Sequence, residues 1–151
     1  MERTERHGEL ELIRALARIG LYAAHIDCTI DGFPDLIVFG KRILLIEMKA
    51  CKASEKISRA MESSQSVFIN TIGASGFRDT ILCVYDAGLY TMYSTSFILR
   101  ESMEDMKIED MGLYTNCEYP AICKGQSSDK AARFIESVIK ARRWLNDSEA
   151  Y

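Results

Sequence analysis

The sequence predicts an α/β fold, and three observations carry that assignment. Two short apolar runs rich in branched residues, Asp35 to Phe39 and Ile43 to Met48, flank Gly40-Lys41-Arg42 and read as a β-hairpin. Both runs are nearly continuous in apolar character rather than alternating, as strands are when each sheet face is covered. Segments with apolar residues at helical spacing stand on either side, giving the order helix, three strands, helix, strands. With 151 residues, 48% of them hydrophobic, the chain suits one domain around a single core.

The first element is a helix from Thr4 to Ile19. Leu12, Ile13, Leu16 and Ile19 recur at helical spacing, Glu5 and Glu9 share a polar face, and Gly20 can end the helix. Leu21 to Ile26 follows as a strand and Asp27 to Asp31 as a turn. His7 reads as a surface residue and His25 as an edge or core residue, and neither receives a role. The two turn aspartates suit capping or solvent. In the hairpin that comes next, Pro34 has no N–H to give a ladder, which suits the first position of a strand. Gly32 permits a tight approach just before it. Ser54 is a candidate N-cap for a helix running to about Gly73, with Ile57, Met61, Phe68, Ile69 and Ile72 as its core stripe. Thr80 to Tyr85 and Leu89 to Tyr93, joined by Asp86-Ala87-Gly88, make two more strands. A helix over Ser96 to Met106 lies in an acidic stretch, Arg100 to Glu118, whose methionines are packing residues. Ser128 then caps a last helix carrying Phe134, Ile135, Val138, Ile139 and Leu145 at helical spacing.

Into the hairpin the sequence places Asp35, Glu47 and Lys49. Unpaired charge in a strand interior is costly, so such residues pair with one another or hold a metal. Glu47 and Lys49 are two apart and leave the same face, while Leu44, Ile46 and Met48 pack on the other. Asp35 joins the charged face only if it stands opposite Glu47. A two-residue loop with Phe39 opposite Arg42 would set Asp35 against Ile46. A three-residue loop with Phe39 opposite Ile43 sets it against Glu47, and this register is the one expected. Two facing carboxylates repel unless a cation lies between them. An oxygen donor set with no His or Cys in the pattern suits Mg²⁺ or Mn²⁺ better than zinc. Lys49 beside such an ion can hold a water or stabilise charge developing on a phosphate. A plain ion pair between Lys49 and Glu47 or Asp35 is the simpler alternative.

Gly32-Phe33-Pro34-Asp35 followed by Ile46-Glu47-Met48-Lys49 resembles the signature of the PD-(D/E)XK nuclease superfamily. The resemblance covers roughly residues 5 to 93. It implies an α/β/α sandwich around a central mixed β-sheet, a restriction-endonuclease-like core. Residues 94 to 151 are then a helical C-terminal extension within one nuclease domain. It implies a Mg²⁺- or Mn²⁺-dependent DNA endonuclease in which Asp35 and Glu47 hold the ion, with the Met48 carbonyl as a further oxygen. Lys49 is then the residue beside the attacked phosphate. The first helix is similar to the opening helix of archaeal Holliday-junction resolvases and of VRR-NUC domains. The metal-reaching Glu of that helix falls here on Glu9 rather than on Glu5 or Glu11. A solvated acidic face is the other account of these residues. VRR-NUC domains also carry a Gln on the helix after the Glu-x-Lys strand, and Gln65 matches it by position. Gly-x-Pro-Asp and Gln65 favour a VRR-NUC-like enzyme. The Glu9 helix favours a Holliday-junction resolvase, which would need a two-fold homodimer. A small restriction enzyme is a third reading, and a non-catalytic nucleic-acid-binding or assembly module a fourth.

Composition bounds the partners. No apolar run approaches the roughly 20 residues needed to span a bilayer, and the N-terminus lacks a secretory pattern, so no membrane partner is expected. Five cysteines with no Cys-x-x-Cys suit a reducing, cytoplasmic compartment, and Cys117 and Cys123 alone do not make an iron–sulfur site. A chain of net charge −3 can still bind DNA if its bases share a face. Lys41, Arg42, Lys52, Lys56 and Arg59 are candidates for that face. Lys140, Arg142, Arg143 and Trp144 near the end are candidate phosphate and base contacts, although such bases also suit a helix C-terminus.

Overall fold

The computed structural model describes residues 2–50, 63–77, 79–95, 123 and 125–140. Helix α1 (Glu2–Arg18) leads to strand β1 (Tyr22–His25) and the hairpin β2 (Leu36–Phe39) and β3 (Ile43–Ala50). Helix α2 (Ser63–Ala74), strands β4 (Thr80–Asp86) and β5 (Leu89–Ser94) and helix α3 (Ser128–Lys140) complete it. The strands form one five-stranded sheet in chain order. Only β3 and β4 run parallel, and the other neighbours are antiparallel, so the sheet is mixed. Ser54, Ile57, Met61, Leu145 and the helix expected at Ser96 to Met106 lie outside the described residues.

The register of the hairpin is the one the charges required. Phe39 pairs with Ile43 and Leu36 with Ile46, so Gly40-Lys41-Arg42 is the loop and Asp35 falls opposite Glu47. Leu44, Ile46 and Met48 thereby turn to one face. There they join Leu36, Val38, Ile81 and Cys83 in a core closed by α1 and α3. Alternation sends Leu45, Glu47 and Lys49 to the opposite face, where α2 lies. That is the α/β/α layering.

The end of α1 follows from Gly20, which adopts φ +85. Its N–H bonds the Ala17 carbonyl and the Leu21 N–H bonds the Leu16 carbonyl, a Schellman stop that needs a residue tolerant of positive φ. The chain then turns back as β1, antiparallel along the helix. The first turns of α1 are thereby carried to the sheet end where β1 finishes. Gly8 there packs its backbone against the Tyr85 ring, and its carbonyl accepts a hydrogen bond from the buried Tyr90 hydroxyl at 2.7 Å.

Helix α3 is part of the same core: Ala131, Ala132, Ile135, Val138 and Ile139 are buried against α1 and the sheet. Its cap is Ser127, not Ser128. The Ser127 hydroxyl accepts from the Lys130 N–H, and its carbonyl accepts from Ala131.

Gly32 fixes the loop before β2. It has φ +80, and a Cβ there would collide with the Ser64 carbonyl of α2. Phe33 and Phe68 meet beside it with ring centroids 4.9 Å apart. Gly32→Ala should therefore lose stability by about 2 kcal/mol or more, the sum of left-handed strain and a backbone clash. Gly88→Ala, with a similar φ of +83 and nothing within 4 Å of its Cβ, should lose only the strain, about 1 kcal/mol. Denaturant unfolding of the two variants separates the contributions, and equal losses would remove the close approach as the cause.

Candidate metal centre

β1 ends and β2 begins at one end of the sheet, where His25, Leu36 and Ile46 stand in register and β3 runs on to Ala50. Asp35 enters β2 at that end and is held from both sides. Its carbonyl accepts from the Ile26 N–H at 2.7 Å, and its own N–H donates to the Ile46 carbonyl at 3.1 Å. Its Oδ2 accepts from the Met48 N–H at 2.8 Å. In an extended strand the N–H and C=O of one residue face the same neighbour, so the Met48 carbonyl also turns toward Asp35.

Glu47 stands across from Asp35 and is buried. Its Oε1 accepts from Gln65 Nε2 at 2.6 Å and lies 3.4 Å from Lys49 Nζ. Oε2 is different: among the described residues it is the buried side-chain polar atom with no hydrogen-bond partner. An acceptor stripped of water and left without a donor is costly. Burial, and after it the Asp35 carboxylate, push the Glu47 carboxyl up to about 9, against the opposing pull of Lys49.

Helix α1 supplies two more acids from above. Glu5 and Glu9 are one turn apart and share a helix face. Glu9 is buried, and its Oε2 receives Arg6 Nη1 at 2.9 Å and His25 Nδ1 at 2.8 Å. Glu5 is raised by burial, then by Asp35 and Glu9, with Lys49 and the Ala50 backbone opposing. Carboxylate oxygens of Glu5, Glu9 and Asp35 lie within 4.8 Å of one another. Four carboxyl groups beside Lys49 and Arg6 outnumber the cations that face them. The donors are oxygens, which is the set a hard divalent cation takes.

The structure thus brings together Asp35, Glu47, Lys49, Glu9 and Gln65, with Met48 contributing through its backbone. The simple ion pair between Lys49 and Glu47 is present as well. Glu11 is turned away, paired with His7 at 3.0 Å on the open side of the helix. Lys41 and Arg42 are exposed at the far end of the hairpin; Arg42 is five residues from Glu47 and Lys41 six from Asp35, so both stand roughly 16 to 20 Å from the acids along the strands. Lys52, Lys56, Arg59, Arg142 and Arg143 lie outside the described residues, and Lys140 is engaged with Glu136. Sequence reasoning set Glu5 behind Glu9 and gave His25 no role, yet both stand at the cluster. The four-residue spacing of Glu5 and Glu9 was a readable signal. His25 offered none, because its closeness to Glu9 depends on how α1 folds back over β1.

The same arrangement of helices and sheet occurs in Hjc of Archaeoglobus fulgidus, a Holliday junction resolvase from an archaeal hyperthermophile. The two share a fold. Their TM-score is 0.52 at 14% sequence identity, over 87% of this chain and 99% of that one. The likeness therefore runs past residue 93, where the sequence resemblance to nucleases stops. No family model matches the chain, and no curated protein matches it.

The raised carboxyl of Glu47 has a signed consequence. Its folded-state value of about 9 lies above the ordinary 4.5, so between those limits the folded chain holds a proton that the unfolded chain releases. That contribution to stability is complete below pH 4.5 and is lost as pH rises through about 9. In EDTA, wild-type stability should fall across this window, and Glu47→Gln, which carries its hydrogens at every pH, should flatten the slope. Unfolding midpoints measured at intervals of pH check it, and parallel profiles for the two proteins would contradict it.

Proposed function

We propose that this chain is a metal-dependent endonuclease that hydrolyses phosphodiester bonds in DNA, of the PD-(D/E)XK type. One observation carries the proposal: Asp35 and Glu47, from neighbouring strands, face each other beside Lys49 with a buried Glu47 oxygen that has no donor among the described residues. A hard cation satisfies that oxygen and relieves the repulsion between the acids. Asp35 and Glu47 would hold Mg²⁺ or Mn²⁺, with the Met48 carbonyl as backbone donor and Glu9 and Glu5 on the helix side. When bound, the ion acidifies a water and polarises the attacked phosphate. Lys49, tethered to Glu47, keeps its ammonium where negative charge gathers on the phosphate during attack. Gln65 fixes the rotamer of Glu47 by donating to Oε1.

Two narrower readings divide the observations. The fold shared with a Holliday junction resolvase and the Glu9 helix support a junction-resolving enzyme acting as a two-fold dimer. The contact between Gln65 and Glu47 supports a VRR-NUC-like enzyme. Sedimentation, together with cleavage of a four-way junction, a flap, a duplex and a single strand, separates them. Paired symmetric cuts by a dimer favour the first.

Supercoiled plasmid should be cut with Mg²⁺ or Mn²⁺ and left intact with EDTA. Asp35→Ala and Glu47→Ala should reduce cleavage below detection, and Lys49→Ala should lower it by about 10²- to 10³-fold, with folding retained. Full activity in those variants refutes the assignment. DNA binding without cleavage under every metal condition would instead favour a non-catalytic module.

A further inference from the structure

We infer that His25 is a positioning residue for Glu9, and that its Nδ1–H is the part that acts. The inference rests on the metal-dependent reading above and deepens it. Glu9 is carried by α1, whereas Asp35 and Glu47 are carried by the sheet, so a shared cation must span two elements that can shift against each other. Glu9 has two donors on its Oε2. Arg6 is one turn away on the same helix and half-exposed, so it moves with Glu9 and cannot register α1 on the sheet. His25 is the donor from the sheet: it ends β1, pairs with Leu36, the residue after Asp35, and reaches Glu9 at 2.8 Å. Its contact therefore locks the helix acid to the strand edge that bears Asp35.

The geometry also sets the tautomer. A carboxylate only accepts, so the proton in this contact sits on Nδ1. Oε2 then accepts from both Arg6 and His25, while one carboxylate oxygen of Glu9 lies within 4.8 Å of those of Asp35 and Glu5. A histidine holding a metal-binding carboxylate from behind is an outer partner of the kind whose loss weakens ion binding about 10- to 100-fold. Nothing in the sequence pattern marks this position, and the motif that carries the nuclease resemblance does not include it.

Asparagine and glutamine discriminate the claim, because an Asn amide nitrogen falls near the place of Nδ1 and a Gln amide nitrogen near that of Nε2. Binding of Mn²⁺ to the full chain is measured by calorimetry for wild type, His25→Ala, His25→Asn and His25→Gln, with the thermal midpoint of each recorded in EDTA. The expected result is affinity weakened roughly tenfold or more in His25→Ala and His25→Gln, and within about threefold of wild type in His25→Asn. Unchanged affinity in His25→Ala, or equal loss in all three variants, overturns the inference while leaving the metal reading standing. A lower midpoint with unchanged affinity overturns it too, since the residue would then be purely structural. Absence of Mn²⁺ binding by the wild type overturns the metal reading and the inference with it. Should His25→Ala not fold, the Asn and Gln pair decides alone.

Discussion

The crowding of Asp35 against Glu47 is the constraint from which the rest of the site follows. Two carboxylates on adjacent strands, one of them buried with an oxygen that has no donor among the described residues, are an unfavourable pair in isolation. A protein tolerates such a pair when its surroundings over-determine the geometry and a ligand relieves the cost. Here the surroundings do so by several routes. The Asp35 backbone is bonded to strands on both sides and its side chain to the Met48 N–H. Glu47 is pinned by Gln65 and Lys49. The contacts that restrain the acids leave the buried pair short of positive charge, and a divalent cation would displace the proton that Glu47 otherwise holds.

Much of this arrangement could be read from residues alone, for a physical reason. Strand geometry has a period of two, so the face of Glu47 and Lys49 was set by their spacing, and Asp35 could share it in only one hairpin register. The two apolar stripes of the first and last helices likewise match the faces the structure buries. What was not readable came from contacts between elements far apart in sequence. His25 meets Glu9 because α1 stops at Gly20 and the chain doubles back, a distance no local pattern encodes. The standing of Glu5 depended on whether the first turn of α1 overhangs the sheet end, and the Tyr90–Gly8 contact helps decide that. The final helix looked like an addition because its amphipathic pattern fits many partners equally well. Its burial against α1 makes it core.

The basic residues illustrate the reverse. Lys41 and Arg42 stood out in the sequence as neighbours of the charged motif, yet the hairpin carries them to its opposite end. Sequence proximity across a β-turn is a poor guide to proximity in space, because each strand residue adds about 3.3 Å.

The packing of α3 on α1 carries a temporal consequence. Two of the acids ride on α1, and the layer that backs that helix comes from Ala131 to Ile139, far along the chain. Contacts of such long sequence separation form late, after the local hairpin has closed. A nascent chain therefore owns its strand acids before it owns its helix acids. The helix acids and the strand acids are held together from two sides only once the segment that bears α3 is there to pack on α1.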